Sequence, residues 1–274
     1  RILGVHDLDR DGRREIVVVA PGFQTHARAR VLSAADGSVL WQMDEFKAKP
    51  VHEPTAKPWR VFYGFLAAEM SRVVDLNGDG YLDFLCHPDG YRYLRAVDFS
   101  RGFDRARVLY DADLRHSNLH MRQLAVADLD HDGRLELVAN PGLFTLVVLD
   151  AATGRFLCEH RHGRRTNSSP LLAANLDKDA GREILLVGGD GTRMAFDYDD
   201  GALKPKWQRP GPGWSWRFHA QVADLDGDGL DELLLDEPAG LAVWNADGRR
   251  IGVIEGARLA GVENTDKEPG LEIL

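Results

Sequence analysis

The 274-residue sequence predicts an all-β fold in which a four-stranded antiparallel unit is repeated along the chain. Two observations predict it. A nine-residue acidic pattern recurs six times at separations of 68, 53, 47, 49 and 40 residues, each time beside an apolar run. Asp-Gly and Thr-Gly turns, which supply the positive φ of tight hairpins, join the later apolar runs of the repeat. Four strands per unit of about 45 residues, without helical periodicity, are typical of the blades of a β-propeller. We call the copies loops 1 to 6: residues 7–15, 75–83, 128–136, 175–183, 224–232 and 264–272.

The strands of each unit follow in a fixed order. A short apolar strand, such as Val73-Val74, precedes the acidic loop, and a second strand begins at the last acid of the loop. A Gly/Pro turn leads to the third strand, and a hairpin such as Asp36-Gly37 or Thr153-Gly154 leads to the fourth. We therefore expect a single propeller domain over 1–274 with blades starting near residues 1, 70, 122, 169, 219 and 258. That is five blades and part of a sixth, and we expect a longer protein to supply the strands missing from this slice.

The acidic pattern, D-x-D-x-D-G-x-x-[DE], has the chemistry of a calcium loop. Calcium takes six to eight oxygen ligands, and a tight loop offers carboxylates at positions 1, 3 and 5 and a carbonyl at position 7. Glycine at position 6 permits the sharp turn. An acid stands at position 9, and strands rather than helices flank the loop, so an EF-hand is not expected. The candidate calcium ligands are Asp7, Asp9, Asp11, Glu15, Asp75, Asn77, Asp79, Asp83, Asp128, Asp130, Asp132, Glu136, Asn175, Asp177, Asp179, Glu183, Asp224, Asp226, Asp228 and Glu232.

The distribution of charge supports bound cations. The six loops hold 22 of the 43 acidic residues but only 7 of the 34 Lys and Arg residues. Such crowding is repulsive unless a divalent ion offsets it. Loops 4 and 6 begin with asparagine and carry glycine one position late, at Gly181 and Gly270. We expect about four to five Ca²⁺ sites, with calcium favoured over an empty turn in loop 4 and an empty turn favoured in loop 6.

The repeated loop joined to blade-sized units resembles the FG-GAP/VCBS class of calcium-binding β-propellers, which includes integrin α-subunit heads and many secreted bacterial proteins. The resemblance covers essentially the whole chain. It implies a secreted, calcium-stabilised propeller that serves as a carbohydrate- or protein-binding scaffold. The run Asp-Lys-Glu-Pro-Gly-Leu-Glu-Ile at 266–273, beside the acidic loops, also resembles rhamnogalacturonan lyases and implies a polysaccharide lyase acting on a uronate-containing glycan. The Ala-Ala-Asp/Thr-Gly hairpins resemble quinoprotein propellers, which implies a quinone-dependent dehydrogenase as a third alternative.

A basic and aromatic group of residues precedes several first strands, at the blade ends opposite the acidic loops. Arginine pairs with carboxylates and tryptophan stacks on sugar rings, so these residues are candidates for binding an anionic glycan. An equally good explanation is that the aromatic residues and histidines fill gaps between blades and that the arginines are simply solvated. In a lyase, a cation or an arginine would neutralise the uronate carboxylate, and a basic side chain would take the proton α to it; no catalytic residue can be assigned. The ligand-binding candidates are His120, Arg122, Trp216, Arg217 and His219.

Composition excludes several classes of protein. A net charge of −9 argues against a nucleic-acid partner, and no apolar run reaches the ~18 residues of a membrane span. Cys86 and Cys158 are too few for a disulfide scaffold, and we expect both within strands. Nucleophile-elbow, phosphate-loop and zincin motifs are absent from the sequence. Whether the protein is an enzyme therefore stays open at this stage.

Overall fold

The computed structural model describes residues 2–20, 28–43, 71–86, 93–115, 124–142, 144–166, 170–212, 219–263 and 272–273. These residues form five four-stranded antiparallel sheets and a two-stranded one. The only helical turn among them is a 3-10 turn at Phe103–Arg105, and none of the described helices could cross a membrane. The all-β, blade-like fold class is confirmed.

The sheets are numbered in chain order, and each consists of four consecutive strands. Sheet 1 contains β1 (Ile2–His6), β2 (Glu15–Ala20), β3 (Arg28–Ser33) and β4 (Val39–Gln42); sheet 2 contains β5 (Arg72–Val74), β6 (Asp83–Cys86), β7 (Tyr93–Asp98) and β8 (Arg107–Asp113); sheet 3 contains β9 (Leu124–Ala127), β10 (Glu136–Gly142), β11 (Thr145–Asp150) and β12 (Phe156–Arg161); sheet 4 contains β13 (Leu171–Ala174), β14 (Glu183–Val187), β15 (Arg193–Asp199) and β16 (Ala202–Arg209); sheet 5 contains β17 (Ala220–Ala223), β18 (Glu232–Glu237), β19 (Gly240–Trp244) and β20 (Arg250–Glu255). The last pair is β21 (Val262–Glu263) and β22 (Glu272–Ile273).

Strand order within each sheet follows the chain, so every sheet is a simple meander. The acidic loop joins the first strand to the second, and its position-9 acid is the first residue of the second strand. In sheet 1, for example, Glu15 pairs with His6, the residue just before the loop. The hairpin between third and fourth strands lies at the same end of the sheet as the acidic loop. The loop is therefore held at both of its ends by an antiparallel ladder.

A β-bulge interrupts the pairing of the third and fourth strands in four sheets. In sheet 1, Val31 pairs with Trp41 and Leu32 with Val39, which leaves Leu40 as the extra residue. Equivalent register shifts occur in sheets 2, 4 and 5. Because a bulge redirects the side chain of the unpaired residue, the identity of that residue matters for the neighbouring loop. The extra residues are Leu40, Leu109, Lys206 and Ile251.

The described chain divides into two compact units. One comprises Arg1–Arg122 with Leu149–Phe156, and the other comprises Gln123–Val148 with Leu157–Leu274. In the first unit, buried residues of sheets 1 and 2, such as Val17 and Phe84, form one core, and Trp41 packs edge-on against Phe99 at 5.3 Å between ring centroids. In the second unit, sheets 3 and 4 share one core and sheets 4 and 5 share another. Alternate residues of the inner strands thus face neighbouring sheets, as stacked blades require.

Candidate metal centre

Loops 1, 2, 3 and 5 have the same backbone turn, because positions 4 and 6 adopt positive φ in all four. Glycine fills position 6 each time, with φ of 86° at Gly12 and 84° at Gly133. Position 4 is glycine in loops 2 and 5 but is Arg10 in loop 1 and His131 in loop 3, at φ 60° and 58°. Non-glycine residues rarely occupy this region, so the surrounding hydrogen bonds must maintain the turn.

The carboxylate at position 1 supplies one of those hydrogen bonds. Its Oδ2 accepts the position-6 N–H, at 3.1 Å for Asp7, 2.8 Å for Asp75, 3.0 Å for Asp128 and 3.0 Å for Asp224. The position-5 carboxylate uses its Oδ1 to accept the position-7 N–H, for example at 2.8 Å from Arg134 to Asp132. The loop backbone is therefore organised by its own acids.

The position-9 acid, at the start of the second strand, bonds back to the beginning of the loop. The side chain is buried in all four loops, and one oxygen accepts the position-2 N–H at 2.8 to 3.0 Å. That bond fixes the carboxyl group at the base of the loop. Glu183 makes the same bond to Leu176 in loop 4, so this feature is common to all five described loops.

Carboxylates at positions 1, 3 and 9 converge in loops 1, 3 and 5. Each residue of a group offers one ligand atom, and these atoms lie within 4.8 Å of one another. The sequence predicted positions 1, 3, 5 and 9, and position 5 does not belong to these groups. In loop 2, position 3 is Asn77, whose Oδ1 accepts the Asp79 N–H at 2.9 Å. The convergent groups are Asp7, Asp9 and Glu15; Asp128, Asp130 and Glu136; and Asp224, Asp226 and Glu232.

Several carboxylate oxygens in these loops lack the partner that burial demands. Oδ1 of Asp7, Asp9 and Asp83 is buried without a hydrogen bond. Burial, reinforced by nearby carboxylates, raises the pKa of Asp83 to about 7 and that of Glu136 to about 7. An unpaired buried carboxylate is costly, and a hard divalent cation removes that cost. The donor set is all oxygen, which fits calcium.

Loop 4 is built differently. Its position-1 residue, Asn175, turns toward loop 5: its side-chain amide donates to the Gly229 carbonyl and its N–H donates to Asp231 Oδ2 at 2.7 Å. None of the nine residues of loop 4, all of them described, has positive φ. The three acids that converge there are Asp177, Glu183 and Asp197, the last from β15. Sequence reasoning missed Asp197, because the register of β15 against β14 is what brings it beside the loop.

Most of the predicted ligand-binding residues lie outside the described residues: His120, Arg122, Trp216 and Arg217, together with residues 264–271 of loop 6. His219 is described. It stands just before β17, at the end of sheet 5 opposite loop 5, and its side chain is 75% exposed. Its N–H donates to Asp236 Oδ2 at 3.2 Å. The imidazole is therefore exposed to solvent at the end of sheet 5 opposite loop 5, the end at which the sequence predicts it. Cys86 is buried in β6 and Cys158 is half-buried in β12, as expected.

No protein-family profile and no curated protein matches the sequence. Solved structures do match this chain. The Bacillus licheniformis rhamnogalacturonan lyase PL11 is 17% identical with a TM-score of 0.55, over 92% of this chain and 55% of that one. Rhamnogalacturonan lyase YesW is 16% identical with a TM-score of 0.58, over 99% and 64% of the respective chains. BBS1N, solved in complex with ARL6DN, is 10% identical with a TM-score of 0.60, over 99% and 74%.

The chain thus spans roughly half to two thirds of the length of these two lyases. At these identities the similarity shows the fold and nothing finer. No family match supports the FG-GAP/VCBS resemblance specifically. The comparisons and the described sheets agree that this chain has a β-propeller-like fold of four-stranded antiparallel blades, which it shares with rhamnogalacturonan lyases.

Proposed function

We propose that the chain is a calcium-stabilised β-propeller module that binds a carbohydrate or a protein. One observation carries the calcium part: loops 1 and 2, which share positive φ at positions 4 and 6 with loops 3 and 5, bury carboxylate oxygens that have no hydrogen-bond partner. Asp7, Asp9 and Glu15 in loop 1, and the equivalent acids of loops 3 and 5, would hold the ion. In loop 2, Asp75, Asn77 and Asp83 would do so. Bound calcium supplies charge compensation, and the acids themselves position the loop backbone.

Calcium binding at these loops would contribute directly to folding. The acids of one loop converge only when the first and second strands of its sheet are paired, so an ion that binds there stabilises the folded chain. Loops of extracellular modules commonly bind calcium at about 10⁻⁴ to 10⁻³ M. We therefore propose that the protein acts outside the cell, where calcium reaches such concentrations.

The calcium part is tested by titrating the chelated protein with calcium in a calorimeter. Asp130→Asn removes one convergent carboxylate yet keeps an oxygen that can accept the Asp132 N–H. The variant should bind one ion fewer than the wild type. Asp104→Asn is the matched control, because Asp104 is exposed and lies outside the loops. Failure of the wild type to bind calcium would refute this part of the proposal.

The binding part concerns the ends of the sheets opposite the loops. His219 is exposed there, and the sequence places His120, Arg122, Trp216 and Arg217 near the starts of first strands. Arginine and tryptophan together favour an acidic glycan or a protein surface. Screening on immobilised acidic glycans should detect binding that Trp216→Ala and Arg217→Ala abolish without a change in melting temperature. A large loss of stability would indicate instead that these side chains pack between blades.

The similarity to rhamnogalacturonan lyases favours a second candidate function, a polysaccharide lyase acting on a uronate-containing glycan. In that reaction a basic side chain takes the proton α to the uronate carboxylate, and the glycosidic oxygen leaves to give an unsaturated sugar. His120 and His219 are candidate bases, and Arg122 and Arg217 are candidate partners for the carboxylate. Incubation with rhamnogalacturonan and other acidic polysaccharides should then release product with unsaturated-uronate absorbance. Absence of product across the panel would exclude the lyase function.

A further inference from the structure

We propose that sheet 4 carries its own cation: the ammonium group of Lys206 takes the place in loop 4 that calcium takes in the other loops, and loop 4 binds no calcium. The inference rests on the proposed calcium function of loops 1, 2, 3 and 5, and it revises the prediction from sequence that loop 4 is a calcium site.

Lys206 contacts every acid that converges on loop 4. Its Nζ donates to Asp177 Oδ2 and to Asp197 Oδ1, the latter at 2.9 Å, and lies 3.8 Å from Glu183 Oε1. These three residues are the group whose oxygens could otherwise hold an ion. Ammonium donates hydrogen bonds to the same oxygens that a metal would bind, so one site cannot satisfy both. The Lys206 side chain is only 21% exposed, so its ion pairs with these acids are largely shielded from solvent.

Lysine reaches the loop because of the bulge in β16. Ala195 pairs with Trp207 and Phe196 with Pro205, so Lys206 is the extra residue between the two pairs. The bulge thereby directs an unpaired side chain toward the loop end of its own sheet. At the equivalent positions of sheets 1, 2 and 5 the extra residues are Leu40, Leu109 and Ile251. An alkyl side chain offers no charge, so the acids beside those bulges still require a cation.

The loop backbone supports the same conclusion independently. Loops 1, 2, 3 and 5 have positive φ at positions 4 and 6, and loop 4 has it at neither. Their position-1 aspartate turns inward to bind the position-6 N–H, whereas Asn175 turns outward to Gly229 and Asp231 of loop 5. Loop 4 thus lacks the inward position-1 carboxylate, and its three converging acids, one of them Asp197 from outside the loop, all lie near Lys206. In loop 4 the Lys206 ammonium, rather than a metal ion, compensates the charge of the converging acids.

The experiment compares equivalent substitutions in loops 3 and 4, with bound calcium counted by equilibrium dialysis and melting temperature measured with calcium and with chelator. Asp130→Asn in loop 3 should remove one bound ion. Asp177→Asn in loop 4 should remove none. In chelator, Lys206→Leu should lower the melting temperature by roughly 5 °C, because it leaves three clustered acids without their cation. Asp177→Asn should lower it less, because Lys206 keeps its bond to Asp197. Lys206→Arg, which keeps the cation, should restore most of the loss caused by Lys206→Leu.

Loss of a bound ion from Asp177→Asn would overturn the inference, as would an unchanged melting temperature for Lys206→Leu in chelator. If Asp177→Asn does not fold, Asp197→Asn replaces it, because Asp197 belongs to the same group of converging acids. Asp197 Oδ1 accepts from Lys206 Nζ at 2.9 Å, and asparagine keeps an oxygen that can accept there. The variant should bind as many ions as the wild type, and one ion fewer would overturn the inference. Failure of the proposed calcium function looks different, since the wild type itself would then bind no calcium.

Discussion

The Asp130→Asn substitution is expected to lower the stability of the protein in calcium and not to lower it in chelator. Asp130 is an exposed member of the loop 3 group, together with Asp128 and Glu136. Without a cation its charge opposes those of its neighbours, and nearby carboxylates help to raise the pKa of Glu136 to about 7, although burial is the larger cause. With calcium the same charge becomes a ligand. The effect of the substitution should therefore change with the ion.

The size of the effect follows from ligand linkage. For a site with a Kd of about 10⁻⁴ M in 10 mM calcium, occupancy stabilises the folded state by about 2.7 kcal/mol. Loss of that contribution lowers the melting temperature by roughly 5 to 10 °C for a chain of this size. In chelator, removal of one exposed charge from the group should raise stability by at most about 1 kcal/mol.

Thermal melts followed by circular dichroism in 10 mM calcium and in excess EDTA provide the assay. Asp104→Asn, at an exposed site outside the loops, should melt like the wild type in both solutions. The reasoning is refuted if Asp130→Asn lowers the melting temperature equally in calcium and in EDTA. That result would mean that Asp130 supports the fold through hydrogen bonds rather than through an ion.

Three further outcomes are expected. Burial, with a smaller contribution from His160, lowers the pKa of His162 to about 4, so below pH 6.5 the unfolded chain binds more protons than the folded one. The free energy of unfolding of the wild type should therefore fall by about 2 kcal/mol between pH 7 and pH 5. His162→Gln should not show this fall in urea titrations. An equal pH dependence in both proteins would contradict this. Tyr110 donates to the Ala151 carbonyl at 2.7 Å, so Tyr110→Phe should cost about 1 to 2 kcal/mol with an unchanged urea m-value, and a neutral substitution would show that the bond adds nothing. Burial raises the pKa of the Cys86 thiol to about 12, so in a Cys158→Ser variant a thiol reagent should label the protein only after denaturation; labelling of that variant in its native state would disprove the burial of Cys86.

The architecture could be predicted from sequence because its signals are local. Each acidic loop, its glycine and the apolar strand behind it lie within about 15 residues, and turn geometry depends on those residues alone. The same locality places the position-9 acid, such as Glu15 or Glu136, at the start of the second strand, where the structure has it.

The partners of the loops could not be predicted, because strand register and contacts between sheets decide them. Lys206 follows loop 4 by more than 20 residues, and only the bulge in β16 turns it toward Asp177 and Glu183. The buried ion pair of Arg193 with Glu237 likewise joins two different sheets. Sequence by itself determined where strands, turns and acidic loops occur, since each depends on neighbouring residues. Tertiary structure alone decided which charges meet, since a bulge or a packed sheet sets the direction of a side chain whatever its place along the chain.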